Sequence, residues 1–553
     1  MTILKENREN IDMKNFKTLA VMVDMSRNAV MTVDSLKNYM RIVRKMGYNA
    51  LFLYTEDTYE VEGEPYFGYM RGRYTADEMK EIDAFGGSIG MEVIPCIQTL
   101  SHLETTIRWN QFPTDNPRTM LVGNERCYKL IDNMFATLSK CFTSKRIHIG
   151  MDEAWGLGTG KYLAENGLES SDAIMKKHLD RVCEIAAKYG YEILMWSDMF
   201  FAGTGGGYYQ GKKIDMPQSS KDALPESVAP VYWDYYHTNE EDYDNMIYNH
   251  KQLSNNIWFA GSAYTSRGFL PNNRYSLKSM IPAMEACKKN KIKNFIVTMW
   301  GDNGAECSRY GTLPALFYVA EYVKGNCDEE SIKAKFERRF GLSYDDYLLI
   351  DMANFVADKQ VNKSFIPINP TKYQFYADLF NGFTDYMVAT GANERYKAIA
   401  EQLHAVSRKS RKYGYVFDNA AKLCDVLALK SELGVLLREA YKEGRKDLLE
   451  IYAKKYIPEI IRKVKIFEKA FEKQWLLENK PQGLDCHHIR IGGVINRLEY
   501  CQRTLNDYLG GKCDRIPELE EEILPFFGKG ISTAYNDALK TMSPSALYIP
   551  GLY

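Results

Sequence analysis

Eight short apolar segments alternate with helical segments over roughly 300 residues, a length typical of an eight-stranded α/β barrel. The apolar segments are Leu19–Met25, Asn49–Thr55, Met91–Ile97, Arg146–Met151, Tyr191–Trp196, Pro230–Trp233, Ile257–Tyr264 and Phe295–Trp300. Parallel strands covered on both faces are apolar in this way. The intervening segments, such as Val33–Met46, have the apolar spacing of helices. We therefore predict an α/β protein with a (β/α)8 TIM barrel.

A doubly wound open sheet is the alternative fold for the same alternation. Such a sheet usually has a glycine-rich phosphate loop after its first strand. Here the residues from Asp24 to Ala29 are D-M-S-R-N-A. The barrel is therefore the favoured prediction.

Beyond Lys324 the strand-like segments give way to long helical patterns. Examples are Asn393–Tyr413, Asn419–Lys442, Leu448–Gln474 and Ile489–Leu509. A chain of 553 residues is also too long for one hydrophobic core. We predict an N-terminal extension over residues 1–17, a catalytic barrel over residues 18–324 and an all-α C-terminal domain over residues 325–553.

The composition argues against several classes of partner. A net charge of −1 creates no field that would attract nucleic acid or an anionic membrane. No apolar segment approaches the ~20 residues of a membrane span. Residues 1–17 lack the apolar centre of a secretory signal, and the 11 cysteines include no C-x-x-C pair. We expect free thiols in a reducing compartment and a cytoplasmic protein.

Two further motifs give weak signals. Cys486, His487 and His488 could form half of a metal site, but no second group of ligands has matching spacing. We predict no metal and no cofactor. The long segment from Phe201 to Ser227 is glycine-rich, and long loops often cover a site. A phosphate cradle there is disfavoured because no G-K-[ST] follows.

Two adjacent acids follow the fourth predicted strand, in the stretch R-I-H-I-G-M-D-E-A-W-G from Arg146 to Gly156. Asp152 and Glu153 are costly at the end of a buried strand unless they are hydrogen-bonded or used in chemistry. The simpler alternative is an aspartate that caps the next helix beside an exposed glutamate.

Other strand ends carry similar side chains, and barrel active sites lie at the carboxyl ends of the strands. These positions hold Asp24, Arg27, Asp57, His102, Trp155, Trp196, Asp198, Trp233, Asp234, Tyr264, Trp300 and Asp302. Flat aromatic walls with carboxylates and an arginine suit a sugar ring, and glycosidic cleavage uses carboxyl groups as acid and base.

The acid pair does not fit the common arrangement of two carboxylates. Glycosidases of that kind place the groups ~5–5.5 or ~6.5–9.5 Å apart on opposite sides of the bond. Sequence neighbours at a strand end diverge instead of facing each other. One resolution is that the substrate supplies the nucleophile.

The motifs resemble those of glycoside hydrolase family 20, the β-N-acetylhexosaminidases. H-I-G-M-D-E from His148 to Glu153 is similar to the family's H-x-G-x-D-E, and V-D-M-S-R from Val23 to Arg27 is similar to its L-D-x-S-R. The resemblance covers about residues 18–320. T-E-D from Thr55 to Asp57 looks more like the hexosaminidase D-like branch and its streptococcal relatives.

The resemblance implies catalytic roles for three residues. Glu153 would be the general acid on the leaving oxygen and then the base for water. The substrate's acetamido oxygen would attack the anomeric carbon and form an oxazolinium intermediate, so configuration is retained. Asp152 would orient the acetamido N–H, and Tyr264 would donate a hydrogen bond to the acetamido oxygen.

The resemblance also implies substrate-binding roles. Three tryptophans would enclose the acetamido group: Trp196, Trp233 and Trp300. Arg27 would bind the sugar O3 and O4, and Asp57 with His102 would form a chain behind the acid. The family's glutamate after strand eight is Asp302 here, with Glu306 as the other candidate for the O4 and O6 hydroxyls. Trp155 is assigned to the aglycone side, with plain packing as its alternative.

These patterns predict an exo-acting, retaining β-N-acetylhexosaminidase. Its partner would be an oligosaccharide or glycoconjugate with terminal N-acetylglucosamine or N-acetylgalactosamine, and not nucleic acid or a membrane. The helical domain could support a homodimer or form a wall that completes the substrate cleft. Two alternatives stay open: a catalytically inactive sugar-binding barrel and a metal-dependent barrel hydrolase.

Overall fold

Eight parallel strands close into a barrel in the computed structural model. It describes residues 15–205, 207–266, 268–356, 370–382 and 384–524, so most of the predicted N-terminal extension lies outside the described residues. The strands are β1 (Thr18–Asp24), β2 (Ala50–Tyr54), β3 (Glu92–Cys96), β4 (Arg146–His148), β5 (Glu192–Trp196), β6 (Val228–Trp233), β7 (Trp258–Ser262) and β8 (Asn294–Met299). Each strand pairs with its sequence neighbours, and β8 closes the barrel on β1. The predicted fold class is confirmed.

A helix follows every strand and covers the outside of the barrel. These helices are α1 (Val33–Met46), α2 (Ala76–Ser88), α3 (Glu125–Cys141), α4 (Ser171–Ala187), α5 (Gln218–Ala223), α6 (Glu240–Lys251), α7 (Asn273–Lys289) and α8 (Leu313–Val323). Short helical turns lie at Glu104–Ile107, Lys161–Asn166, Asp198–Thr204, Gly207–Tyr209 and Arg309–Thr312, and a small hairpin pairs Thr114–Asn116 with Thr119–Met120.

Local side-chain caps determine where the first helices begin. The Thr75 side chain accepts a hydrogen bond from the Glu78 backbone N–H, and the Glu78 carboxylate accepts one from the Thr75 N–H. This reciprocal capping box satisfies two backbone donors that an uncapped helix would leave without partners. Thr32 caps α1 through a bond from the Ser35 N–H. The chain therefore turns from strand to helix at defined residues.

Large side chains fill the interior of the barrel. The Phe52 ring on β2 contacts His148 on β4 and Trp258 on β7, with ring centroids 6.4 and 5.9 Å apart. The His148 ring in turn lies 4.3 Å from that of Trp196. The interior is a packed core, as in other barrels of this kind, so a substrate can approach only at the strand ends.

The fourth strand is shorter than predicted. It ends at His148 rather than Met151, because Gly150 and Met151 adopt left-handed backbone angles, with φ of 74° and 69°. A Cβ on Gly150 would also lie 2.1 Å from Oε1 of Gln98. The alternation of apolar residues continues to Met151, beyond the point where the chain leaves the sheet, and this led to the longer predicted strand.

The C-terminal region is helical throughout its described part. Its longer helices are α9 (Glu329–Phe340), α10 (Pro370–Tyr376), α11 (Ala392–Lys409), α12 (Gly414–Lys430), α13 (Leu433–Lys442), α14 (Ile457–Glu478) and α15 (Leu484–Leu509). Shorter elements are Tyr344–Leu348, Leu349–Phe355, Asp385–Met387, Lys446–Ile451, a π-helical turn at Tyr452–Tyr456 and Pro517–Glu520. The predicted all-α region is confirmed, whereas its boundary at residue 324 stays a prediction.

One predicted helix, Asn419–Lys442, is two helices in the structure. The break falls at Ser431 and Glu432, where the Glu432 backbone N–H donates to the Asn393 side chain. The Glu432 carboxylate accepts in return from the backbone of Gly391 and Asn393. A contact distant in sequence therefore ends the helix.

The described residues contain neither a membrane-spanning helix nor a cluster of metal ligands. No helix there is both long and apolar enough to cross a bilayer. In the same part of the chain, no group of three or more His, Cys, Asp or Glu side chains is placed to hold a metal ion.

Candidate active site

An open pocket of about 600 Å3 lies at the carboxyl ends of the barrel strands. Nine residues predicted for the site line it: Arg27, His102, Asp152, Glu153, Trp196, Trp233, Tyr264, Trp300 and Asp302. The other lining residues are Tyr54, Tyr235, Tyr236, Ser262 and Ser266. Carboxylates and aromatic rings thus surround one cavity.

The adjacent acids enter the pocket from a strained turn. Met151 and Glu153 both have left-handed backbone angles, with φ of 69° and 48°. Such angles are uncommon for residues with a side chain and persist only when surrounding contacts hold them. The Gln98 side chain provides one such contact, since its Oε1 accepts from the Met151 N–H at 3.0 Å. The Glu153 N–H donates to Oδ2 of Asp198 at 2.9 Å.

Asp152 is held as a carboxylate. Its Oδ1 accepts a 2.6 Å hydrogen bond from Nε2 of Gln98, and its Oδ2 lies 3.3 Å from Nε2 of His102. Burial alone would raise the pKa of Asp152, but the nearby charge of His102 and the hydrogen bond from Gln98 outweigh it and lower this pKa. Asp152 is therefore ionised at neutral pH and suited to stabilise positive charge.

Glu153 has the opposite electrostatic environment. Burial and the neighbouring Asp152 charge raise the pKa of Glu153, while His102 partly offsets them. Its side chain is nevertheless 35% exposed, compared with 14% for Asp152. A carboxyl group with a raised pKa at the open side of the pocket can hold a proton and deliver it to a leaving group.

His102 lies between the two acids. Its Nε2 is 3.6 Å from Oε2 of Glu153, close to its distance from Asp152. Burial lowers the pKa of His102, but Asp152 raises it more, to about 9. The imidazolium is thus charged at neutral pH and contacts both acids directly.

Asp57 does not form the predicted chain with His102. This fully buried carboxylate accepts hydrogen bonds from Arg71 Nε at 3.2 Å and Thr105 Oγ1 at 2.7 Å. Thr105 lies in the short helix that begins two residues after His102. Asp57 therefore anchors the segment that carries His102 instead of touching the histidine ring.

Three tryptophans and a tyrosine form the walls of the pocket. The rings of Trp196 and Trp300 lie 5.9 Å apart, and the Trp233 ring stacks on Tyr235 at 5.3 Å. Trp196 is 1% exposed, and its Nε1 has no hydrogen-bond partner among the described residues. Tyr264 is also buried and packs edge-on against Tyr275.

Arg27 lines the pocket and lies close to three acids. Its Nη1 lies 2.7 Å from Oε1 of Glu56 and 3.7 Å from Oδ2 of Asp24. Its Nε lies 4.0 Å from Oδ1 of Asp302, whose side chain is 49% exposed. Asp302 is therefore the acid after β8 that faces the pocket.

Two candidates lie outside the pocket lining. Glu306 is buried and forms an ion pair with Lys372 at 2.8 Å, so it does not replace Asp302. Trp155 is 48% exposed in the turn after the acid pair and does not belong to the lining. Its predicted aglycone role stays a prediction.

A hydrogen-bond network that the sequence did not predict connects the two sides of the site. Tyr54 at the end of β2 donates to Oε1 of Glu56 and accepts from Nε2 of Gln98, both at 2.9 Å. The network therefore runs from Arg27 through these groups to Asp152. Tyr54 and Gln98 could have been found from their positions at strand ends. A tyrosine and a glutamine do not by themselves indicate a catalytic role, so the sequence did not single them out.

The glycine-rich segment from Phe201 to Ser227 contributes to one wall. The Tyr208 hydroxyl donates to the Trp233 carbonyl and accepts from the Trp233 N–H, both at 3.0 Å. The segment thus supports the pocket from outside, and Tyr209 packs 5.7 Å from the Trp233 ring.

Family models match both parts of the chain. Residues 16–246 match "Glycosyl hydrolase family 20, catalytic domain", and residues 345–536 match "Glycoside Hydrolase 20C C-terminal domain". The first match covers the barrel from β1 into α6, and the second lies within the helical C-terminal region.

Curated relatives include two proteins named hexosaminidase D. The human protein is 22% identical over 357 residues, which cover 59% of this chain and 70% of the relative. The bovine protein is 26% identical over 211 residues, which cover 36% of this chain and 58% of the relative.

Similar solved structures include those of two bacterial enzymes. A GH20 exo β-N-acetylglucosaminidase from Vibrio harveyi is 15% identical, with a TM-score of 0.45 over 61% of this chain and 58% of that chain. An N-acetyl-β-hexosaminidase from Streptomyces plicatus is 18% identical, with a TM-score of 0.43 over 61% of this chain and 69% of that one.

The matches to the catalytic and C-terminal models, together with the H-I-G-M-D-E stretch that carries the acid pair, identify the family. The chain belongs to glycoside hydrolase family 20, the β-N-acetylhexosaminidases.

Proposed function

We propose that this protein removes terminal β-linked N-acetylglucosamine or N-acetylgalactosamine from a glycan, with retention of configuration. The observation that carries the proposal is the different environment of two adjacent carboxyl groups in one pocket. Burial and Asp152 raise the pKa of Glu153, whereas His102 and Gln98 keep Asp152 ionised against the effect of burial. When the surroundings raise the pKa of one carboxyl group and keep its neighbour ionised, the first can act as a general acid and the second can stabilise positive charge.

Glu153 acts as the general acid and then as the base in this scheme. Its proton passes to the glycosidic oxygen as the bond to the anomeric carbon breaks. The same carboxylate then removes a proton from the water that opens the intermediate. Exposure of its side chain at the mouth of the pocket supports this role, because the leaving group must extend toward solvent.

Asp152 stabilises the substrate's own amide as the nucleophile. The acetamido oxygen attacks the anomeric carbon and gives an oxazolinium ion, and the Asp152 carboxylate binds its N–H. Tyr264 donates to the acetamido oxygen before attack. Trp196 and Trp233 enclose the group, and exclusion of water strengthens the electrostatic interaction.

Arg27 and Asp302 bind the sugar hydroxyls farthest from the scissile bond. Both line the pocket on the side that carries Glu56 and Trp300. Binding of these outer hydroxyls would select a terminal sugar, which is what exo action requires. Cytoplasmic location and homodimer formation remain proposals that rest on the sequence alone.

Two aryl β-glycosides, one with a 2-acetamido group and one with a 2-hydroxyl, test the function of the wild-type protein. We expect hydrolysis of the acetamido sugar and a rate at least about 100-fold lower for the hydroxyl sugar, because only the first supplies a nucleophile. The measurement is the initial rate of phenol release. Comparable cleavage of both would indicate a nucleophile in the protein. Cleavage of neither would favour a sugar-binding barrel, or a metal-dependent hydrolase if added divalent metal restored activity.

Replacement of the acid should depend on the leaving group. For Glu153→Gln we expect kcat/KM to fall about 10²- to 10⁴-fold on a glycoside with an alkyl or sugar aglycone, because that oxygen needs a proton. A dinitrophenyl glycoside should lose much less, since its leaving group departs unprotonated. Glu165→Gln, at a half-exposed residue paired with Lys161, is the matched control and should change neither rate. Equal losses on both substrates would exclude Glu153 as the acid.

The pH profile should report the charge of His102. Activity requires ionised Asp152 on the acid limb and protonated Glu153 on the alkaline limb. The imidazolium lowers both pKa values, so its removal should raise both. For His102→Gln we therefore expect both limbs of the kcat/KM profile to move to higher pH. Limbs that stay at the wild-type pH would mean that His102 does not set the protonation of the acids.

A further inference from the structure

We propose that the helical domain positions Asp302 by clamping the loop that follows β8. The clamp consists of Lys372 on α10 with His487 and Arg490 on α15. The proposal rests on the function above, in which Asp302 binds the substrate's outer hydroxyls. Under this proposal, the three side chains are positioning residues, and the barrel needs the helical domain for full activity.

The three clamp residues bind backbone carbonyls directly beside Asp302. Arg490 Nη1 donates to the Asn303 carbonyl at 2.7 Å, and Lys372 Nζ donates to the same oxygen at 3.1 Å. His487 Nε2 donates to the Gly304 carbonyl at 2.8 Å. Two consecutive peptide groups are therefore held by side chains that do not line the pocket.

The conformation of the loop requires such support. Asn303, Gly304 and Ala305 all have positive φ, at 63°, 123° and 56°. A run of left-handed residues persists only when its surroundings stabilise it. A Cβ on Gly304 would lie 2.4 Å from Arg490 Nη1 and 2.9 Å from His487 Cε1, so the domain and the loop are in close contact.

Glu306 keeps the cations of the clamp in place. Its buried carboxylate lies 2.8 Å from Lys372 Nζ and 3.5 Å from Arg490 Nη1. Charged groups at so low an exposure need partners that compensate for lost hydration. Glu306 therefore orients both donors toward the loop, which explains a second acid close to Asp302 that does not face the pocket.

Within the described part of the chain, the clamp reaches the pocket through this loop, because none of its three side chains belongs to the pocket lining. The Asp302 side chain is 49% exposed and near Arg27, while the clamp residues lie on the buried side of the same turn. A loop released from the clamp would let the Asp302 carboxylate move away from the sugar. Because this contact exists in the ground and transition states alike, its loss should appear mainly in KM.

The test is a double-mutant cycle between Arg490→Met and Asp302→Ala in the full-length protein. We expect Arg490→Met to lower kcat/KM on an aryl N-acetylglucosaminide about 10- to 100-fold, mainly through KM. In the Asp302→Ala background the same change should have little further effect, since Arg490 acts through Asp302. Arg490→Lys, which keeps the charge, should restore part of the loss.

Arg497→Met on α15 is the matched control. Arg497 forms ion pairs with Asp378 and Glu518 inside the helical domain and does not belong to the clamp. The Arg497→Met variant should leave KM unchanged even if it lowers the melting temperature of the protein. Equal KM effects of both arginine variants, or full additivity with Asp302→Ala, would overturn the proposal.

Hydrogen exchange separates this proposal from the proposed function. The Gly304 and Ala305 amides donate to the Gly301 carbonyl at 3.2 and 2.7 Å. We expect a peptide containing them to exchange faster in Arg490→Met than in wild type or Arg497→Met, whether or not the protein cleaves glycosides. Unchanged exchange would contradict the clamp. If Arg490→Met does not fold, Gly304→Ala tests the same contact from the barrel side.

Discussion

The site depends on the separation of two neighbouring carboxyl groups by the backbone. Left-handed angles at Met151 and Glu153 cost on the order of 1–3 kcal/mol each, and contacts from Gln98 and Asp198 maintain them. The imidazolium of His102 reduces the repulsion that two such close acids would otherwise experience. One acid can therefore stay charged beside the acetamido group while the other holds a proton for the leaving oxygen.

Much of this arrangement could be predicted from the sequence, because strand ends are encoded locally. The apolar runs located eight strands, and the residues at or just beyond their ends included Trp196, Asp152 and Glu153. Contacts between distant segments could not be predicted. The alternation around β4 did not indicate that the chain leaves the sheet after His148. Asp57 followed a strand like the others, yet its partners lie on two later segments.

The helical domain shows the same limitation on a larger scale. Its helices were evident from their spacing, but nothing in Lys372, His487 or Arg490 indicated a target in the barrel. By sequence, Asp302 was the predicted residue and Glu306 the substitute candidate. Asp302 lines the pocket, whereas Glu306 is buried against Lys372 and Arg490. The structure thus connects the domain to the loop in which this chain has Asp302 in place of the family's glutamate.

The central claim is that the substrate's amide is the nucleophile, and its electron density can be changed without altering the protein. The measurement is kcat/KM for aryl glycosides whose N-acetyl group carries zero, one, two or three fluorine atoms. Each fluorine weakens the amide oxygen as a nucleophile, so we expect a steep, continuous fall in rate, by about tenfold or more across the series. A rate independent of fluorination would contradict the account, because a nucleophile on the protein would not respond to the acyl group.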